Sequence, residues 1–219
     1  IITASIIALR QDNLKARLAY STIAQLSYIV LGAALLTPAA VTGGIMHIVL
    51  HAFGKITLFF TAGAIYVATH KTRISELDGI GRQMPFTMAA FTIGALSMIG
   101  VPPLGGFLSK WYIFLGALEG GQGIIILVLL ISTILNACYL LPIVYAAFFR
   151  EQKKAGHGLP AHPQPHAEEE AINPLWRKLG LREAPPLMVA ALTFTAVGTI
   201  VLFFRPDVFL FLARAIVGS

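Results

Sequence analysis

The chain has 219 residues, of which 57% are hydrophobic and 12% charged, with a mean hydropathy of +0.78; a water-facing surface takes roughly a quarter of a chain as charged residues, so this is a membrane chain. The net charge of +6 does not point to nucleic acid, because the basic residues sit at the ends of apolar runs, where lipid headgroups are the fitting partners. A single cysteine, Cys138, excludes an iron–sulfur cluster or a disulfide framework, and no cofactor is implied.

The chain opens Ile1-Ile2-Thr3, with neither Met nor a basic segment ahead of an apolar one; it reads as a piece of a longer chain without a signal peptide. The stretches 18–54, 83–109, 120–149 and 184–204 carry no charge, and each exceeds the roughly 20 residues of a bilayer crossing. Apolar length and breakers predict an all-α, polytopic bundle of about six spans. The first runs from 18 to 36 and stops at Thr37-Pro38. The second, 40–69, is long enough to require tilt or a local distortion. A polar loop with Glu76, Asp78 and Arg82 leads to Pro85, which opens a third span ending near Gly100.

Next come Pro102, Pro103, Gly105 and Gly106, which remove two backbone donors and free the dihedrals of two residues, so a helix breaks here. The fourth span, 104–118, starts irregularly and contains Lys110. The fifth covers 123–149, with a kink expected at Pro142. The stretch 150–184 is a polar surface loop, rich in His, Pro, Lys and Glu, with either a short interfacial helix around 168–182 or a solvated linker. The sixth span is 186–204, and the apolar tail 209–217 is too short to cross. Counting loop cations on alternate sides leaves orientation undecided, since Arg10, Lys15, Arg17, Lys71, Arg73 and Arg82 balance Arg150, Lys153, Lys154, Arg177, Lys178 and Arg182.

Two charges lie inside spans. Lys55 is near the middle of the second and Lys110 follows the break. A lysine at the bilayer centre costs about 3 kcal/mol and usually faces a polar interior or a pathway. His47, His51 and Lys55 recur every four residues, which stacks them in one helical stripe about 12 Å long. Three uses fit such a stripe: a proton relay, histidines bonding neighbouring helices, and a metal pair. The last lacks any Cys, Asp or Glu in the same span. Histidine titrates near neutrality and can accept at one ring nitrogen while donating from the other, so a relay is the chemistry that uses all three groups. Ser109 and the polar residues Tyr20, Ser21, Thr22, Gln25 and Ser27 of the first span are candidates for lining it, or for ordinary helix-to-helix bonds. The break beside Lys110 is either a discontinuous helix, whose exposed carbonyls can serve a charge, or a tight turn between antiparallel helices.

The run from Asp12-Asn13-Leu14-Lys15-Ala16-Arg17 through Tyr20-Ser21-Thr22-Ile23-Ala24-Gln25 to Tyr28 resembles a signature of the antiporter-like membrane subunits shared by respiratory complex I and Mrp-type cation/proton antiporters. His47, His51, Ala52 and Lys55, and the segment from Gly100-Val101-Pro102-Pro103 to Gly106-Phe107-Leu108-Ser109-Lys110, match two further motifs of that family in the same order. The resemblance implies a bundle with inverted five-helix repeats. Residues 1–149 would be the second repeat, with 1–11 the end of a preceding helix and 185–219 the final helix and tail. It further implies that Lys55 is a central proton carrier, Lys110 the terminal lysine on a discontinuous helix, and His47 and His51 the link between them.

Sequence details look closest to the D subunit of Mrp antiporters. The expectation is therefore a proton-translocating subunit of a sodium/proton antiporter, not itself an enzyme, held with other membrane subunits in a bacterial inner membrane. The alternatives are a proton-pumping subunit of complex I or a related hydrogenase, and a structural anchor without transport. Asn13 between Asp12 and Leu14, and Ala16 between Lys15 and Arg17, depart from the common form of the first motif.

Overall fold

The computed structural model describes residues 1–151, 174, 176 and 180–218. Among these, eight α-helices with defined bounds follow in order: α1 (Ile2–Arg10), α2 (Leu14–Ala34), α3 (Pro38–Thr69), α4 (Pro85–Ile99), α5 (Gly105–Glu119), α6 (Gly123–Phe149), α7 (Pro186–Phe204) and α8 (Asp207–Val217). The interfacial helix expected around 168–182 falls outside the described residues, apart from helical Pro174 and Trp176 and the residues from Gly180 onward.

Helices α3, α6 and α7 are long and apolar enough to cross a membrane, and α4 is a shorter apolar helix. This is an all-α integral membrane protein. Local chemistry sets the helix limits. Thr37 caps α3, its hydroxyl accepting from the Ala40 amide at 3.4 Å, and Pro38 occupies the first turn, where its missing donor costs nothing. Asn13 caps α2 through the Ala16 amide at 3.0 Å. The residue that departs from the family signature is thus a helix cap.

The centre of the bundle is α3, one continuous helix of 32 residues. Helix α2 runs antiparallel to it: Ser21 meets Lys55, Tyr28 stacks on His47, and a methyl placed on Gly32 would lie 2.7 Å from the Ala40 carbonyl oxygen. On another side, α4 and α5 lie end to end. Descending α3, Leu58 faces Gly94, Gly54 faces Met98, Leu50 faces Gly105, Gly43 faces Ile113 and Ala40 faces Gly116. Both pieces therefore run antiparallel to α3 as the halves of one interrupted helix. The sequence counts them as separate third and fourth spans because each is bounded by breakers, and a turn folding α5 back on α4 is excluded by this ladder. Pro102 and Pro103, joined by a cis peptide bond, occupy the interruption. Helix α7 is also antiparallel to α3, with Thr57 donating to Thr195 at 2.8 Å and Gly198 admitting the Phe53 ring. The tail, α8, folds back so that Ala213 packs with Met46, Leu50 and Leu202.

Pro142 stays within α6. It leaves the carbonyl four residues earlier without its donor, and beside that point Arg17 donates to the Tyr139 carbonyl at 3.0 Å while also holding the carbonyls of Gln11 and Leu9 at the end of α1. One partly buried guanidinium thus ties α1, α2 and α6 together. Outside the bundle, Ser75 donates its amide and its hydroxyl to the two carboxylate oxygens of Asp12 at 3.0 and 2.8 Å. The hydroxyl contact in particular holds the Asp12 carboxyl below its usual range. Cys138 is free and exposed on the outer face of α6, in keeping with a small apolar residue in an apolar run.

The N-terminus of α4 has no side-chain cap of its own. The carboxylate of Glu183, buried just ahead of α7, accepts from the amides of Phe86 at 2.7 Å and Thr87 at 3.1 Å and from the Thr87 hydroxyl. A carboxylate at this end of a helix satisfies orphan donors and complements the dipole. Replacing Glu183 with Ala is expected to cost about 1–2 kcal/mol and to speed hydrogen exchange at the Phe86 and Thr87 amides, whereas Glu183→Asp should recover part of the protection.

Candidate functional site

Lys55 and Lys110 both lie inside the bundle, on elements that touch. Lys55 is 5% exposed; its Nζ donates to the Ser21 hydroxyl at 2.7 Å and to the Leu18 carbonyl at 3.1 Å. Lys110 is partly buried and turns back across the interruption, donating to the Met98 carbonyl at 2.7 Å and the Ile99 carbonyl at 3.0 Å. These are carbonyls at the C-terminal end of α4, where a helix carries partial negative charge. The broken helix thus supplies acceptors that an intact one would have used internally. The Tyr28 ring lies under the same ammonium at 5.0 Å, a cation–π contact. Gly100 is in the left-handed region at φ 93°, and a methyl there would lie 3.0 Å from the Lys110 side chain, so glycine serves both the turn and the approach.

Between the lysines runs a stacked column. His47 and His51 rings are 5.6 Å apart and 22° from parallel, and Tyr28 stacks on His47 at 5.5 Å. His47 Nδ1 is 2.8 Å from the Ser109 hydroxyl, which in turn donates to the Gly106 carbonyl at 3.2 Å. If Ser109 spends its proton on Gly106, His47 is the donor to Ser109 and its other ring nitrogen is free to accept. His51 Nδ1 is buried without a hydrogen-bond partner among the described residues, which is a position suited to a bridging water.

Of the polar residues read from the first span, Ser21 and Gln25 are fully buried on the face toward α3 and α4, with Gln25 donating weakly to the Met98 carbonyl at 3.4 Å. Thr22 and Ser27 turn their hydroxyls to the Leu18 and Ile23 carbonyls of their own helix, and Tyr20 packs, partly buried, against the main apolar cluster. The column does not include them. Sequence reasoning missed Tyr28 and the buried polar side chains of α6. Tyr28 was legible as the next member of the Ser21, Gln25 face, three residues on. Beside Lys110, a cleft of about 250 Å³ opens among Tyr28, Phe107, Trp111, Phe114, Leu129 and Thr133. Among the described residues no three His, Cys, Asp or Glu side chains gather into a metal-binding group.

Residues 1–136 match the family model described as "NADH:quinone oxidoreductase/Mrp antiporter, TM". The chain belongs to that family. Its relatives include the NADH-quinone oxidoreductase subunit N of Desulforudis audaxviator, 40% identical over 92% of this chain and 38% of the relative. Another is an NAD(P)H-quinone oxidoreductase chain 4 of Synechococcus elongatus, 32% identical over 68% of this chain and 29% of the relative. The chain spans well under half the length of these relatives. Among solved structures, a subunit of an archaeal membrane-bound sulfane sulfur reductase superposes with a TM-score of 0.79 at 27% identity, covering 98% of this chain and 39% of that one. A chain of the Mrp complex of Dietzia superposes with a TM-score of 0.78 at 24% identity, over 97% of this chain and 43% of that one, a likeness of fold.

Proposed function

We propose that this chain is the second repeat and following helix of a proton-translocating subunit in a multisubunit membrane complex. Residues 1–149 form the repeat, 150–184 its polar connection and 185–219 the last helix and tail. Protons pass between Lys55 and Lys110 through His51, His47 and bridging water, with Ser21, Gln25 and Ser109 lining the route. The observation that carries the reading is the stacked histidine pair between two in-membrane lysines, each held by neutral acceptors and, among the described residues, with no ion pair to a carboxylate. A permanent counter-ion would pin the proton; carbonyls and a serine hydroxyl leave it transferable.

Two driving reactions fit. The names of the relatives at 32–40% identity favour the membrane arm of a quinone oxidoreductase, while the likeness in fold to an Mrp complex suits exchange of protons for sodium. The setting is a bacterial cell membrane with other membrane subunits as partners. Purification of the complex separates the two readings, since flavin and iron–sulfur subunits would accompany the first and small antiporter subunits the second. In vesicles containing the assembled complex, Lys110→Ala should abolish proton translocation. Undiminished translocation by that variant would instead make the subunit a structural anchor.

A further inference from the structure

Helix α6 is an apolar run of 27 residues, yet Ser132, Asn136 and Tyr139 are all fully buried on one face of it. They stand four and three residues apart, the spacing of a helical stripe, and each buried polar group in it needs a partner. Its lower end is bonded to the first lysine. The Tyr139 hydroxyl lies 2.9 Å from Ser21 Oγ, which accepts from Lys55 Nζ, and it also bonds to Asn136 Oδ1. A hydroxyl has one proton, so Tyr139 points either at Ser21 or at Asn136. When it points at Asn136, Ser21 can donate to Tyr139, and the groups align in one direction as Lys55, Ser21, Tyr139, Asn136.

The upper end lies beside the cleft that holds the second lysine. Asn136 Nδ2 and Ser132 Oγ are buried without a hydrogen-bond partner among the described residues, and they sit one helical turn apart. Tyr28 and Thr133, the residue next to Ser132, line the same cleft as Lys110, and the ring of that tyrosine is the one beneath Lys110. Gaps of about 6 Å between polar groups on a helix face are the size that single waters bridge.

We propose that this face of α6 is a second proton route between Lys55 and Lys110, parallel to the histidine column, with Ser21, Tyr139, Ser132 and bridging water as relay groups and the Asn136 amide orienting the water. The proposal rests on the lysine-to-lysine transfer described above. In one passage an N–H bond of the Lys55 ammonium breaks as an O–H bond forms at Ser21. The former Ser21 proton passes to Tyr139, and the former Tyr139 proton, once the hydroxyl has turned from Asn136 Oδ1 to a water that accepts from Asn136 Nδ2, passes to that water. A proton of that water chain, held past Ser132, ends on the neutral amine of Lys110. Lys55 is left as an amine, Lys110 becomes an ammonium, and rotation of the hydroxyls resets the chain.

The test uses the full complex in vesicles, with Tyr139→Phe, Ser132→Ala and His51→Ala made singly and in pairs, and rates normalised to subunit content. Tyr139→Phe keeps the ring and the helix packing and removes only the hydroxyl. Parallel routes predict that each single change lowers translocation several-fold at most, while Tyr139→Phe or Ser132→Ala combined with His51→Ala falls far below the product of the separate effects. Helix-to-helix bonds without proton traffic predict simple multiplication, and that result, or wild-type rates for both α6 variants in the His51→Ala background, overturns the second route. Lys55→Ala separates the two levels. If it is inactive while the pairs merely multiply, only the α6 route falls; if it is fully active, the lysine relay falls with it.

Discussion

Lys55→Ala is expected to lower proton translocation by the assembled complex by about 100-fold or more, the scale on which a positioned proton donor contributes, while leaving the subunit in the membrane. The two effects separate because of how Lys55 is held. Its acceptors are the Leu18 carbonyl, which also receives the Thr22 hydroxyl, and Ser21 Oγ, which also receives Tyr139. Removing the ammonium therefore strands neither of them, and it removes a charge that is costly to bury. A cavity the size of a lysine stem remains, with a stability cost of about 2–3 kcal/mol that the wider bundle absorbs. Translocation measured in vesicles against subunit content gives the answer, and a variant that is assembled and fully active refutes the relay.

Gly106→Ala should act the other way, through structure first. A methyl at this position would lie 1.8 Å from the Ser97 carbonyl oxygen and 2.8 Å from its carbon. Both are backbone atoms, so no side-chain rotation relieves the overlap, and the start of α5 must move off the end of α4. That displacement pulls Lys110 from the Met98 and Ile99 carbonyls across the interruption and Ser109, on the same first turns of α5, from His47 on α3. The expected loss is about 3 kcal/mol or more, the upper end of overpacking effects, read as a lower thermal midpoint and reduced subunit abundance. Gly123→Ala, where nothing lies within 4 Å, should leave both near wild type.

These two sites differ in how far the residues alone announced them. Lys55 was conspicuous as a charge within an apolar run, four residues beyond His51, and helical periodicity is enough to put it in the same stripe. Lys110 was conspicuous too, but its neighbours were not. Residues 100–106 permit both a turn and a broken helix, because Pro and Gly report only that regular hydrogen bonding stops. What distinguishes the two is the facing of Gly94, Gly105 and Gly116 along α3, a contact pattern between segments distant in the chain. Thr22 illustrates the converse. It is a polar residue beside Ser21 in the family-like run, yet one position around a helix turns it by about 100°, and its hydroxyl ends on its own backbone.

By itself the sequence determined the solvent, the limits of the helices and the register of His47, His51 and Lys55. Those depend on apolar length against bilayer thickness, on caps such as Thr37 with Pro38, and on 3.6-residue periodicity, all properties of neighbouring residues. The tertiary structure decided which groups meet. It laid α4 and α5 end to end, gave Lys110 the carbonyls of the break, set Arg17 on the Tyr139 carbonyl and turned Tyr139 toward Ser21. Such pairings depend on which faces of separate helices pack together, and in an apolar run almost every face satisfies the lipid equally, so local composition carries no record of the choice.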